Sequence, residues 1–311
     1  MKNATFRQLR FFNAVARHLS FAKAAELMHV SAPAVTMQIK ELEAEVGMPL
    51  FERQGRKVSL TTTGEYMLVY CRKMLALLKD AEDAAARLQR IETGTLTIGM
   101  VGTATYFVPA LLNKFLKEHE GIEIKLMVGN RGDLVQWLQN SEVDIAIMGK
   151  APDELPTRAE PFAANPLVFV ASPMHPLAGE SGLRAEDLRQ QLFIVREPGS
   201  GTRSAMESFF SQARLQPRYS MELQSNDAIK QAVMANLGLG FLSLHTIALE
   251  LQTRKLCVLQ VNGAPLVRAW NVVHTLSKFL SPAAEAFRYF VLEHAETDLA
   301  AQFGELRQSK Y

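Results

Sequence analysis

The feature that most constrains this chain is an uninterrupted helical stretch that begins near Thr62. Neither Pro nor Gly occurs between Gly64 and Gly94, and Thr62 with Glu65 fits a Thr-x-x-Glu capping box. Apolar residues then recur at alternating steps of three and four, at Met67, Tyr70, Met74, Leu77, Ala81, Ala84, Leu88 and Ile91. About thirty helical residues span ~45 Å, and so long a helix with so narrow a seam normally packs on another helix. Packing on the chain's own domain is the alternative.

The region before this helix has the pattern of three shorter helices. Helical spacing of apolar residues predicts helices at 6–17, at 21–28 and from 32 onward. Ser20 and Ser31 are suitable N-caps for the second and third helices. Pro33 lies in the first turn of the third helix, where its missing N–H costs nothing. Two helices joined by a tight turn at 29–31 form the pattern of a helix-turn-helix.

The third helix sorts its residues by face. One buried stripe is predicted, made of Val35, Ile39, Leu42 and Val46. The opposite side presents Pro33, Thr36, Met37 and Lys40 and has no carboxylate before Glu41 and Glu43. A helix whose outward face avoids negative charge can enter the major groove of DNA. An ordinary amphipathic surface helix has the same pattern.

A short β-hairpin with a basic, Gly-containing tip is predicted at 49–61. Beside a recognition helix, such a wing would place Arg53, Arg56 and Lys57 against phosphates or the minor groove. A solvated turn has a similar composition. Residues 1–90 also hold fourteen Lys and Arg against nine Asp and Glu, in a chain of net charge +2. A basic head on a mildly acidic body favours a polyanionic partner for the head, although random scatter gives the same numbers.

Together these segments resemble the LysR-type transcriptional regulators. The resemblance rests on AAEL at 24–27, VSAPAVT at 30–36, IKELE at 39–43, VGMPLFER at 46–53 and LTTTG at 60–64. It implies a winged helix-turn-helix DNA-binding domain at 1–61, a dimerising linker helix at 62–92 and an effector-binding regulatory domain at 93–311. The family commonly has Gln after the capping Ser, where this sequence has Ala32. That base contact is therefore lost, or replaced by an apolar contact to a thymine methyl.

The expected DNA-contacting residues are those of the third helix and the wing: Ser31, Ala32, Pro33, Thr36, Met37, Lys40, Arg53, Arg56 and Lys57. Two heads on a two-fold axis would read an inverted repeat in double-stranded DNA. The family resemblance implies a homodimer or, as a dimer of dimers, a homotetramer. It also implies RNA polymerase as a partner and activation as the expected mode, with repression left open.

The remainder of the chain alternates strands and helices. Strands are predicted at 95–101, 122–128, 143–148, 167–171, 192–195, 239–242 and 267–274, and helices at 106–119, 132–139, 202–213, 227–235 and 282–293. This order argues for an α/β fold with parallel strands and crossover helices. The resemblance implies two Rossmann-like subdomains, as in periplasmic binding proteins. The first takes about 93–161 and 267–296, the second about 162–266, with a hinge near 161 and 266 and a ligand cleft between them.

The loops after the predicted strands are polar, and ligands in such sheets bind at the carboxyl ends of strands and at helix N-termini. Gly and Ser at 199–202 let backbone N–H groups face an anion, with Arg203 adding charge. The expected effector-binding residues are Thr103, Thr105, Asn130, Arg131, Lys150, Ser200, Gly201, Thr202 and Arg203. A plain turn is the alternative for each loop, and Arg203 could instead pair with Glu197 or Glu207.

A narrower resemblance points to the regulators of Calvin-cycle carbon-fixation operons. It rests on VGNR at 128–131, DIAIMG at 144–149, FVA at 169–171, HPL at 175–177 and REPGSGTR at 196–203. It implies control of RuBisCO genes by a small anionic effector: a phosphorylated sugar, another phosphorylated metabolite or NADPH. Control of another metabolic operon is the alternative. No other cofactor is expected.

An enzyme and a solute-binding transport protein are the remaining classes. The seven His residues are scattered, and the sequence contains no nucleophile elbow and no metal-ligand spacing, so no catalytic or metal site is expected. Cys71 and Cys257 are too few for a disulfide framework and fit a reducing cytosol. The N-terminal residues have no apolar signal segment, and no apolar run approaches the ~20 residues that span a bilayer. A cytoplasmic protein without a membrane partner is expected.

Overall fold

The computed structural model describes residues 4–54, 57–88 and 94–308. The chain divides into two compact units. Unit 1 is Met1–Leu88 with Asn140–Glu142, and unit 2 is Gln89–Gln139 with Val143–Tyr311. Within the described residues, no helix is both long enough and apolar enough to cross a membrane.

Unit 1 is built from helices and one hairpin: α1 (Phe6–His18), α2 (Phe21–Leu27), α3 (Ala32–Val46), β1 (Phe51–Gln54), β2 (Lys57–Leu60) and α4 (Thr62–Leu88). Both predicted serine caps are confirmed. The Ser20 hydroxyl accepts the N–H of Lys23 at 3.3 Å, and the Ser31 hydroxyl accepts the N–H of Ala34 at 3.4 Å. Each bond satisfies one of the N–H groups that the first turn of a helix leaves without a partner.

The core of unit 1 lies between its helices and the hairpin. Val35, Ile39 and Leu42 of α3 are buried there as predicted, while Val46 is half-buried at the end of the helix. The Phe51 ring of β1 makes edge contacts with Phe12, at 5.4 Å between centroids, and with Phe21, at 5.6 Å. These aromatic contacts fix the hairpin to the helices.

The start and the faces of α4 differ from the sequence prediction. Its N-cap is Thr61 rather than Thr62, because the Thr61 hydroxyl accepts the Gly64 N–H at 3.0 Å and donates to the Pro49 carbonyl. The residues of the predicted seam also do not share one environment. Met67 is buried in the core of unit 1 and Met74 packs against that core, whereas Tyr70 and Leu77 are 61% and 69% exposed.

Unit 2 alternates strands and helices in one large sheet. Its strands are β3 (Gly94–Val101), β4 (Ile122–Gly129), β5 (Ile145–Met148), β6 (Thr157–Ala171), β7 (Leu192–Arg196), β8 (Arg218–Leu223), β9 (Leu239–Ser243), β10 (Cys257–Val258) and β11 (Leu266–Thr275). Its helices are α5 (Val108–Glu118), α6 (Arg131–Gln139), α7 (Gly201–Gln212), α8 (Asn226–Met234), α9 (Ala248–Gln252) and α10 (Pro282–Gln308). Every predicted element is present, but α5 begins two residues late, after a 3-10 turn at Gly102–Tyr106.

The strand order is β4-β3-β5-β11-β6-β9-β7-β8, with β10 beside β6. Strands β3, β4 and β5 pair in parallel at one end of this order, and β7 pairs in parallel with β8 and β9 at the other. Between them β6 and β11 form a long antiparallel ladder that crosses from one half to the other. The parallel strands expected from the sequence are present in both halves of the sheet, and an antiparallel pair that was not predicted joins the two halves.

The long strand β6 begins ten residues before its predicted start, and the sequence analysis missed β8 and β10. Pro161 and Pro166 in β6 argue against a strand, because Pro donates no ladder hydrogen bond. Pro161 lies where the ladder is irregular, opposite the register shift at Trp270 and Asn271. This irregularity lies at the first predicted hinge crossing, near 161, and four residues beyond the second. The subdomain boundaries themselves stay a prediction.

Candidate functional site

The outward face of α3 collects most of the expected DNA-contacting residues. A shallow depression there is lined by Ala32, Pro33, Thr36, Met37, Lys40, Glu41 and Ala44. Ser31 precedes it and is exposed, as are Pro33, Met37 and Lys40. The face therefore offers one cation and several small or apolar groups to a partner.

The two carboxylates of this region are held by the protein itself. Glu41 accepts hydrogen bonds from the side-chain amides of Gln8, at 3.1 Å, and Gln38, at 2.9 Å. Glu43 accepts the backbone N–H groups of Leu50, at 2.8 Å, and Phe51, at 3.2 Å, at the start of the hairpin. Glu43 thus positions the wing relative to α3, a role that the sequence analysis missed. Its signal would have been a carboxylate seven residues before backbone N–H groups that no helix satisfies.

The Thr36 side chain is less available to a partner than the sequence suggested. Its side chain is half-buried, and its hydroxyl donates to the Ala32 carbonyl at 3.0 Å. This is the usual back-bond of a Thr inside a helix. The hydroxyl oxygen can still accept a hydrogen bond and the methyl can still contact an apolar base edge.

The wing is described only in part. Lys57 begins β2 and is exposed. Arg53 lies on β1, but its side chain falls outside the described residues, as does the whole of Arg56. The phosphate or minor-groove contacts expected of Arg53 and Arg56 stay predictions.

In unit 2 the loops at the carboxyl ends of the strands meet at one pocket, whose empty volume of about 560 Å³ includes open solvent. The pocket brings together seven of the expected effector-binding residues: Thr103, Asn130, Arg131, Lys150, Ser200, Gly201 and Thr202. They follow β3, β4, β5 and β7, so both halves of the sheet contribute to one site.

Two of the expected residues, Thr105 and Arg203, do not line this pocket, and their role in effector binding stays a prediction. The Thr105 hydroxyl donates back to the Gly102 carbonyl at 2.7 Å, which closes the 3-10 turn. The Arg203 guanidinium is held by Glu207, at 2.8 Å, and Glu222, at 2.6 Å, and lies 5.1 Å from the Tyr219 ring. The Glu207 ion pair is the alternative that the sequence left open for Arg203, and the i, i+4 spacing on α7 explains it.

The pocket also has lining residues that the sequence analysis missed, among them Asn165, Arg196, Arg268 and Trp270. Arg196 is buried and forms a bidentate ion pair with Glu197, with hydrogen bonds of 2.8 and 2.9 Å. Its remaining Nη1 donates to the Asn226 side chain at 3.0 Å. Arg268 comes from β11 and donates from Nη1 to the Gly201 carbonyl at 3.1 Å. Arg196 begins the REPGSGTR stretch but was not among the expected effector-binding residues, and Arg268 was missed because the pairing of distant strands brings it to the site.

At the first half of the pocket, two cations have acidic partners. Arg131 forms a bidentate ion pair with Glu154, with hydrogen bonds of 2.8 and 2.9 Å. Lys150 donates to Asp153 at 2.7 Å. The hydrogen bonds from Arg131 lower the pKa of Glu154 to about 2, and those same bonds raise the pKa of Arg131 above its ordinary value. Each of these two cations is thus paired with a carboxylate at the rim of the pocket.

A polar cluster beside the pocket ties one half of the sheet to the other. Tyr106, in the turn after β3, donates its hydroxyl to Asp227 of α8 at 2.7 Å. Lys230 contacts both Asp227 and Glu250 at 3.0 Å. Burial and the bond to Asp227 raise the pKa of Tyr106 to about 12, so the hydroxyl remains a donor across the physiological range.

Comparison with known proteins identifies the class. The chain matches the bacterial regulatory helix-turn-helix model of the lysR family over residues 6–65 and the LysR substrate binding domain over residues 89–296. The chain belongs to the LysR family of DNA-binding transcriptional regulators, with an effector-binding domain, and is not an enzyme.

Its relatives are named regulators. The HTH-type transcriptional regulator CfxR of Cupriavidus necator is 44% identical, covering 98% of this chain and 96% of the relative. The RuBisCO operon transcriptional regulator of Allochromatium vinosum is 46% identical, covering 94% and 97%. The regulatory domain of Synechocystis CcmR, solved in complex with 2-PG, is 37% identical with a TM-score of 0.62, covering 64% of this chain and 96% of that one. Full-length CbnR with its target DNA shares the fold, at 23% identity and a TM-score of 0.68, covering 92% of this chain and 98% of that one.

Proposed function

We propose that this LysR-family chain regulates carbon-fixation genes, including those of RuBisCO, in response to a small phosphorylated metabolite bound in the pocket of unit 2. The names of relatives with 44% and 46% identity over nearly the whole chain support the target genes. Control of another metabolic operon is the alternative. Gel shifts with the promoter of the RuBisCO operon from the same genome, against a promoter from an unrelated operon, separate the two.

The observation that carries the effector proposal is the set of basic side chains that line the pocket. Arg131, Lys150, Arg196 and Arg268 line it, together with the N-terminus of α7 at Gly201. Cations and the N-terminal end of a helix both favour an anion. The CcmR regulatory domain, 37% identical to this chain, was solved with 2-PG. A phosphorylated metabolite therefore fits this pocket better than a neutral one, with NADPH as a further candidate.

Calorimetry on the full-length chain tests the effector proposal. We expect binding of 2-PG or of a phosphorylated sugar, and weaker binding by Thr103→Val, because Thr103 lines the pocket and Val lacks its hydroxyl. Loss of one neutral hydrogen bond corresponds to a roughly two- to tenfold weaker affinity. Thr105→Val is the matched control, since its hydroxyl is engaged with Gly102 outside the pocket. Equal affinity in parent and Thr103→Val would remove Thr103 from the site, and a parent that binds none of the anions would refute the proposal.

We also propose that the α3 face contacts the operator. Thr36→Ala should relax base preference at a cost of about 1–3 kcal/mol, the range for a specific base contact. Lys40→Ala should weaken binding to all sequences and reduce the slope of log affinity against log salt by about one, as expected when a phosphate contact is lost. Lys117→Ala removes an exposed lysine of α5 in unit 2 and serves as the control. If both α3 variants keep the parental affinity and salt slope, the α3 face does not contact the operator.

The assembly proposal is a homodimer formed through α4, able to assemble further into a tetramer. Large apolar side chains stay exposed along this helix, at Tyr66, Val69, Tyr70 and Leu77. An exposed apolar stripe on a long helix fits a second helix better than it fits water. The proposed domains are 1–61, 62–92 and 93–311. RNA polymerase as a partner and the cytoplasm as the compartment belong to the same proposal.

A further inference from the structure

The four cations of the effector pocket differ in how their charge is balanced. Arg131 pairs with Glu154, Lys150 with Asp153 and Arg196 with Glu197. Each of these pairs is close to neutral as a unit. An anionic ligand gains little Coulomb energy from a cation whose own carboxylate remains beside it.

Arg268 is the exception. Its recorded hydrogen bond runs from Nη1 to the Gly201 carbonyl, a neutral acceptor, at 3.1 Å. Among the described residues, none of the ion pairs includes Arg268. Burial lowers its pKa, and no neighbouring charge acts against that shift. A half-buried guanidinium has five N–H donors, and one bond to a carbonyl leaves most of them to a ligand.

The first turn of α7 likewise lacks a side-chain hydrogen-bond partner at its N-cap. Ser200 is its N-cap and is buried, yet its side chain makes no capping hydrogen bond. Ser31 and Ser225, the N-caps of α3 and α8, do make this bond. The N–H groups at the start of α7 therefore lack the side-chain acceptor that a Ser N-cap normally provides. Since Ser200, Gly201 and Thr202 line the pocket, the acceptor can come from a ligand.

We propose that Arg268 and the first turn of α7 together bind the phosphate headgroup of the effector, and that Arg268 is the residue that selects for an anion at this position. This inference rests on the proposed effector function and adds the residue that recognises the charge. The planar fork of an arginine matches phosphate oxygens at two points, and the N–H groups of α7 approach the same headgroup from Gly201, to which Arg268 is already bonded. Arg203, two residues along α7, keeps its own carboxylates and takes no part.

The test compares Arg268→Gln and Arg268→Lys with Arg203→Gln in the full-length chain. Each protein is titrated by calorimetry with 2-PG and with inorganic phosphate, and folding is checked by thermal unfolding. Arg268→Gln should bind both probes about 10- to 100-fold more weakly, the effect of losing hydrogen bonds from a charged donor. Its residual binding should depend less on salt, because one cation is gone. Arg268→Lys keeps the charge without the fork and should be several-fold weaker than the parent. Arg203→Gln should stay within about twofold of the parent.

The outcomes separate this inference from the proposed function. If the parent binds 2-PG and Arg268→Gln binds it equally well, the inference is overturned while the effector pocket stands. Equal losses in Arg268→Gln and Arg203→Gln would also overturn it, because the cause would then be damage to α7. If Arg268→Gln does not fold, the Lys variant decides: weaker binding supports the inference, and parental affinity overturns it. A parent that binds neither probe refutes the phosphate site together with the phosphate-effector proposal.

Discussion

Gly64→Ala is expected to abolish operator binding while leaving the effector pocket of unit 2 intact. A Cβ added at Gly64 would clash with the Leu50 carbonyl oxygen and lie 3.0 Å from the carbonyl carbon. Both are backbone atoms, so no side-chain rotation relieves the clash. The Leu50 carbonyl is also fixed in place, because it accepts the Thr61 N–H at 3.0 Å. Either α4 must move away from the hairpin or the hairpin must move away from the core.

The cost should lie at the upper end for overpacking, about 3 kcal/mol, and should fall on unit 1. That is a large part of the stability of a small domain. The hairpin that contains Arg53 and Lys57 would lose its position beside α3. Gly304→Ala is the matched control: Gly304 also lies in a helix, α10, and a Cβ there meets nothing within 4 Å. Thermal unfolding, gel shifts and effector calorimetry on the two variants measure the effect. Operator affinity unchanged in Gly64→Ala would contradict the close approach of α4 and Leu50.

The helix caps of α2 and α3 in unit 1 were predictable because a capping hydrogen bond joins residues that are close in sequence. Ser20 and Ser31 each bond to an N–H three positions away, so sequence spacing alone identifies the caps of α2 and α3. The cap of α4 was misplaced by one residue because three threonines follow each other at 61–63. The contact that selects Thr61 among them is its bond to the Pro49 carbonyl, twelve residues away. No local pattern contains that information.

The residues of the pocket in unit 2 also differ in whether local sequence could predict them. Loops that follow strands were recognisable, so Thr103, Asn130 and Ser200 were expected at the site, and the pocket brings them together. Arg268 was missed because it lies inside strand β11, where nothing in its neighbours shows which loop it faces. Arg203 shows the opposite case. Its position in a polar loop suggested a ligand, but Glu207 one helical turn later holds it.

The face of α4 was only partly predictable, for a physical reason that bears on the dimer. A heptad pattern marks apolar positions, but it does not say which of them the chain's own core covers. Met67 and Met74 pack in unit 1, whereas Tyr70 and Leu77 remain exposed. The surface left for a partner therefore starts at Tyr66, one residue from the predicted seam. The side chains of Ala84 and Leu88, further along that seam, lie outside the described residues.

The exposed stripe leads to the second large effect, which is expected from Tyr70→Asp combined with Leu77→Asp. Their side chains are 61% and 69% exposed, so the double variant should fold as the parent does within unit 1. In a dimer joined through α4, the same change would bury at least two carboxylates without partners, and unpaired buried charge is strongly unfavourable. We therefore expect monomers in sedimentation velocity.

Loss of the dimer should weaken operator binding by about 10²- to 10⁴-fold, because two linked heads bind a repeated site with an effective concentration that separate heads lack. Binding of a single head to one half-site should change little, since α3 and the wing are untouched. Tyr70→Phe with Leu77→Met keeps the stripe apolar and is the matched control, with parental assembly and affinity expected. If the aspartate variant sediments as the parent does, then α4 is not the dimer interface and the exposed stripe needs another partner. Monomers that still bind the full operator tightly would instead show that pairing of the heads does not depend on α4.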